Sequence, residues 1–307
     1  MRYSLIFSAL AATTVSGHGL IRSVEGTNGV SMPGLTVADG TPRDCVVNAC
    51  GAQADTGIIR DNEIATGKVG PLGMTQGNGK VDAAAVIANF MGKGSAPSKN
   101  KGAASSVGVE DDLKGLETAE QRREEHKRQM NDLFKGIANL PIVGGLGLGG
   151  TRKTFPVETM NEDMRGQGAE KGLPTSDDKG VVNLVYRQIN QDGAGPLTAA
   201  IDGTSGGTDP NAFKTAKVIL DAPGSGISGL SIATNTDFPI QVQMPEGMTC
   251  QGEVAGVKNV CIVRVRNQAL AGPFGGSGAF VQSKASRKRA VAYRLRKRME
   301  IGGHKSE

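Results

Sequence analysis

His18 follows the small pair Ser16-Gly17, and a chain cut before it would bring two nitrogens to one point, the α-amine and the ring. Such a pair chelates copper, a metal that imidazole suits. A copper centre needs further donors from the body. The other two histidines stand far off, His126 in a polar stretch and His304 in a basic end. Asp39, Asp44, Asp55 and Asp61 are the nearer substitutes, and they lie among Arg43, Arg60 and Glu63 in a turn-rich segment. Paired carboxylates serve acid/base hydrolysis, but Asp and Arg in glycine-rich loops cap and bridge turns, which is the reading favoured here. Three histidines, two of them in segments poor in core residues, do not assemble a Ser-His-Asp triad. The run Gly144 to Gly150 continues as Thr151-Arg152-Lys153 and so lacks the Gly-Lys-Ser/Thr ending of a phosphate loop.

The four cysteines form two close pairs, Cys45 with Cys50 and Cys250 with Cys261. Four cysteines allow three connectivities. The local one is expected, because Gln251 to Gly256 begins a hairpin that a Cys250–Cys261 bridge would staple, while Cys45 and Cys50 would close a small loop. A zinc site built from the same thiols lacks short CxxC-type spacing on both sides.

These residues need elements to hold them. Residues 1–17 carry Arg2, an apolar run from Leu5 to Val15 and a small-residue end, the order of a cleavable signal peptide. The apolar run falls well short of the roughly twenty residues that cross a bilayer, so no transmembrane anchor is expected. Residues 18–91 alternate short apolar stretches with Pro-Gly and Asp-Gly turns and read as the N-terminal part of a β-rich domain. Within them Val81 to Met91 reads as a helix with Asp82 as cap, and Asp55 to Ile64 as a strand or one helical turn. Residues 92–180 read as a mobile insertion with a helix at about 116–140, where Met130, Leu133, Phe134 and Ile137 share a face. Residues 181–283 alternate apolar and polar positions at 181–189, 238–244 and 260–267, the pattern of an antiparallel β-sandwich. The fold class expected is therefore mainly β with a partly helical insertion.

Residues 284–307 hold nine Lys or Arg against Glu300 and Glu307, and read as a disordered basic tail. With that tail and Arg2 set aside, the net charge of +5 turns mildly negative for residues 18–283, which argues against a nucleic-acid partner. The dibasic pairs Lys127-Arg128, Lys288-Arg289 and Lys297-Arg298 are candidate processing sites for a kexin-type protease. The sequence contains no Asn-x-Ser/Thr acceptor for N-glycosylation.

Several stretches resemble a secreted fungal virulence-factor family of Egh-type, appressorium-associated proteins: His18-Gly19-Leu20-Ile21, Gly26 to Val30, Pro33 to Cys45, Gln53 to Asp61 and Asn267 to Gly276. The resemblance covers residues 18–64 and 181–282 well and the insertion poorly. It implies a secreted or cell-surface protein of a filamentous fungus, expressed around host penetration, whose molecular activity is not settled. The reading taken here is an extracellular or cell-wall protein that binds a wall or host-surface component rather than catalysing a reaction, with no cofactor expected unless copper. The alternative is a copper-dependent polysaccharide oxidase using His18, since copper polysaccharide monooxygenases also begin with histidine and many are β-sandwiches. That likeness is one of fold and terminus alone.

Overall fold

The computed structural model describes residues 18–45, 51–100, 151–152, 157–191, 193–224, 231, 233–269 and 272–303. The N-terminal part supplies β1 (Gly19–Glu25), β2 (Ser31–Pro33), β3 (Gly57–Ile58), α1 (Asp61–Ala65), β4 (Met74–Thr75), β5 (Gly79–Lys80) and α2 (Ala83–Phe90). Then come β6 (Thr151–Arg152), α3 (Met160–Asp163) and α4 (Gln167–Lys171). The C-terminal part supplies β7 (Val181–Gln188), β8 (Thr198–Asp202), β9 (Phe213–Leu220), β10 (Thr236–Gln243), β11 (Gly252–Val254), β12 (Val257–Arg266), β13 (Phe274–Val281) and α5 (Lys284–Gly303).

All the strand pairs are antiparallel, in the order β2-β1-β7-β10-β9-β8-β12-β13-β3-β4-β5, with β6 beside β10 and β11 beside β12. The sheet turns a corner at β9, which pairs with β10 on one side and β8 on the other. Its two arms then face each other. Ile21, Leu184, Tyr186, Phe238, Ile240 and Val242 from one arm meet Ile201, Val263, Val265 and Phe280 from the other in the main core. The chain is thus mainly β, as its alternating segments predict.

The seam between β1 and β13 is unusually tight because β13 is rich in glycine. A Cβ added at Gly276 would lie 2.7 Å from the Ile21 backbone nitrogen, and one at Gly278 only 2.3 Å from Val24 Cγ2. Side chains at these two positions would therefore hold the arms apart.

The outer face of the second arm is covered by α2. Asp82 caps this helix by accepting from the Ala84 amide at 2.8 Å, and Val86, Ile87 and Phe90 bury against a second core with Val260, Ile262 and Ala279. The segment expected as strand or helical turn forms both, β3 followed by α1. The Cys250–Cys261 disulfide is present, with the Cα atoms 5.0 Å apart, across a hairpin turned at Ala255-Gly256, both at positive φ.

Two expectations need correcting. The insertion read as 92–180 is shorter at both ends, because the limb from Val157 to Gly180 packs on the body. Glu158 and Asn161 are buried, and Leu173 joins the second core. The Asn100 amide likewise donates to the Asp39 carbonyl at 2.7 Å. The helix expected at about 116–140 lies outside the described residues, as do residues 1–17. The second correction concerns the basic tail, which is the helix α5 over Lys284–Gly303. Ser283 Oγ accepts from the Ser286 amide at 3.1 Å and caps it, and Ala, Leu, Lys and Arg all favour helix. The small residues Ser286 and Ala290 form a buried strip that seats it on the body.

Candidate functional site

His18 is held at the threshold of β1 and is buried to 1% exposure. Its backbone nitrogen donates to Asn190 Oδ1 at 2.8 Å, and Asn190 Nδ2 lies 3.2 Å from His18 Nδ1. An amide nitrogen can only donate, so in this contact Nδ1 is the acceptor. One carboxamide thus spans both nitrogens that a copper chelate would use. The ring also stacks on Phe274, centroid to centroid 4.3 Å.

The loop carrying Asn190 is fixed from beneath. Gln188 Nε2 donates to the carbonyls of Asn190 at 2.9 Å and Ala233 at 2.7 Å, and Tyr186 Oη donates to the Gly193 carbonyl at 2.7 Å. Burial pushes the Tyr186 hydroxyl well above its usual range, and Asp221 adds to the effect. Position 193 must be glycine, because a Cβ there would fall 1.9 Å from the His18 carbonyl oxygen.

A buried chain of charges stabilises the same end of the body. Arg43, 2% exposed, grips both oxygens of the fully buried Asp55 and donates from Nε to Glu158 at 2.9 Å. Burial works against its charge, but the two carboxylates outweigh that and hold its pKa above the ordinary guanidinium value. For Glu158 burial alone would raise the carboxyl, yet Arg43 wins and keeps it below the usual range. Arg187 donates to the Arg43 carbonyl at 2.5 Å, to Asn235, and to Asp237 at 3.1 Å. Burial pushes Arg187 down to about 10, with Asp237 opposing. Arg22 completes the chain on Asp237 at 3.2 Å. Asp39 instead accepts the Asn161 and Glu162 amides, both at 2.9 Å, while burial raises its carboxyl.

The expected charge cluster therefore divides. Asp39, Arg43 and Asp55 are structural anchors for the limb at 158–162, whereas Asp61 pairs with Arg266 at the surface. Among the described residues, no three of His, Cys, Asp and Glu gather as a metal-holding group. His126 and His304 lie outside those residues. Cys45 is disulfide-bonded, and Cys50 falls outside the described residues. Of the processing candidates, Lys288, Arg289, Lys297 and Arg298 lie on α5, and Lys127-Arg128 is not described.

Sequence reasoning missed one feature. Between α5 and the turn at 244–248 lies a cleft of about 530 Å³, where Lys179, Arg289 and Arg296 face Glu246 beside Tyr293. Its chemistry suits an anionic group. The strip Ser286, Ala290 and Tyr293 carried the signal, at helical spacing after a capping serine.

Among the described residues, no helix is long and apolar enough to cross a membrane. No solved structure matches the chain. It is 48% identical over 300 residues to the appressoria-specific virulence factor GAS2 of Pyricularia oryzae, covering 97% of this chain and 95% of that one. It is also 35% identical over 120 residues to the appressoria-specific virulence factor GAS1 of the same fungus, 39% of this chain and 46% of that one. The family model of Egh16-like virulence factors matches residues 16–275, and the chain belongs to that family.

Proposed function

We propose that this is a secreted virulence-associated protein of a filamentous fungus that works at the cell surface or host interface by binding a wall or host-surface component. The observation that carries the reading is the relationship to an appressoria-specific virulence factor over 97% of the chain. Two features support export. The family match begins at residue 16, within the last two residues of the segment 1–17 that reads as a leader, and the Cys250–Cys261 disulfide suits an oxidising compartment. Cleavage before His18 turns its backbone nitrogen into a charged amine. The bond to Asn190 then becomes charge-assisted, roughly twice as strong as a neutral one.

The test is expression in a filamentous fungus under the protein's own leader, with N-terminal sequencing and intact mass of the culture supernatant. The labelled protein is then incubated with isolated fungal wall and with host surface material. A start at His18 with saturable retention on one material supports the proposal. Retention inside the cell, or no retention on either material, sinks it. Copper titration of the same sample addresses the oxidase alternative, because stoichiometric tight copper at His18 would displace the Asn190 contact and move the search to polysaccharide oxidation.

A further inference from the structure

Six large apolar side chains are exposed among the described residues, and three of them, Val291 at 42%, Leu295 at 52% and Met299 at 69%, lie on α5. Their i, i+4, i+8 spacing lines them along one side of the helix. At 3.6 residues per turn, Lys284, Lys288 and Arg298 fall with them within an arc of about 100°. The opposite side, with Ser286 and Ala290, is buried on the body. In all, α5 carries Lys284, Arg287, Lys288, Arg289, Arg294, Arg296, Lys297 and Arg298 against Glu300. Among the described residues none of these cations forms an ion pair.

We infer that the outward face of α5 is a docking surface for a lipid bilayer bearing anionic headgroups. An interface of that kind takes both parts of the face at once, the apolar stripe into the headgroup boundary and the flanking cations onto phosphates. A soluble polyanion would neutralise the cations and leave Val291, Leu295 and Met299 in water. The rest of the molecule has the opposite sign, since residues 18–283 are net acidic. It is repelled by the same surface, so the helix is presented first. The face lies beyond residue 275, where the family match ends, and the test below takes the secreted form and so rests on the reading of secretion.

The experiment is cosedimentation of the secreted protein, its C-terminus verified by intact mass, with vesicles of phosphatidylcholine alone or with phosphatidylserine. Two exposed-face variants accompany it: Val291→Ser/Leu295→Ser/Met299→Ser, and Lys284→Gln/Lys288→Gln/Arg298→Gln. Thermal unfolding checks that each stays folded, and Leu295→Ser and Lys288→Gln alone stand in for a triple variant that does not. The wild type is expected to bind the phosphatidylserine vesicles, roughly a hundredfold more weakly in the charge variant and at least about tenfold more weakly in the serine variant. Equal binding to neutral vesicles overturns the proposal, as does a serine variant that binds like wild type. It also fails if soluble polygalacturonate is bound while the vesicles are not, or if the secreted mass lacks the residues after Arg289.

Discussion

Arg43 shows why charged residues in the turn-rich segment are structural. Its guanidinium holds two buried carboxylates, Asp55 and Glu158, so that Arg43→Ala leaves both without their cation. Breaking a buried pair from one side costs about 3–5 kcal/mol, and the loss is expected in urea unfolding. Lys at this position does not rescue it, because a single ammonium cannot supply the fork that meets Asp55 through two nitrogens. The same chain gives a pH dependence. Glu158 is held below the ordinary glutamate range, so its contribution is fully present above that range and is lost as the pH falls through the depressed value. Unfolding free energies measured between neutral pH and about pH 3 should fall at the acid end, with a smaller drop in Glu158→Gln. Asn190→Ala removes its contacts to both nitrogens of the buried His18 and is expected to cost about 1–3 kcal/mol, read as a lowered unfolding midpoint. The long-range pairings were not legible in the sequence. Asp, Arg and His announce chemistry by type; Asp55 lies only 12 residues from Arg43, within the segment read as bridged turns, but Glu158 lies 115 residues from Arg43 and Asn190 172 from His18, and nothing local selects those.

Elements were legible in proportion to how their burial alternates. β10 buries Thr236, Phe238, Ile240 and Val242 on one face, so its period of two is visible in the residues. The Asp82 cap marked α2, and the cysteine spacing marked the hairpin of β11 and β12. β13 gave no such signal, because its glycines exist to admit β1 rather than to present an apolar face. Gly276→Ala must push against the Ile21 backbone, and a destabilisation of about 1–3 kcal/mol is expected from overpacking, checked by thermal unfolding. Removing the hairpin staple by Cys250→Ala/Cys261→Ala should cost about 2–4 kcal/mol. A reducing agent should lower the wild-type midpoint in the same direction. The misreading of α5 has a physical reason. Its charge density hides a narrow buried strip of small residues, and a helix that docks through Ser286 and Ala290 needs little apolar bulk on that side.

At the scale of the whole molecule, an acidic body carries a basic helix against the turn at 244–248. Residues after Ser283 add few buried side chains, so a chain ending at Ser283 is expected to remain folded, with a midpoint lowered by about 2–4 °C per kcal/mol of lost packing. Its pI should drop below neutrality, which isoelectric focusing reads directly, since removing the end leaves a net acidic chain. The Arg43 chain of charges also has a consequence for biosynthesis. Arg43 leaves the ribosome long before Glu158, the separation being 115 residues. At about 5–20 residues per second that is roughly 6–23 seconds of synthesis during which its second carboxylate does not yet exist. Arg187, Asn235 and Asp237 arrive later still. The first strands therefore meet their native partners only after the C-terminal half has been made, since β1 pairs with β7 and the Arg43 chain closes on Arg187.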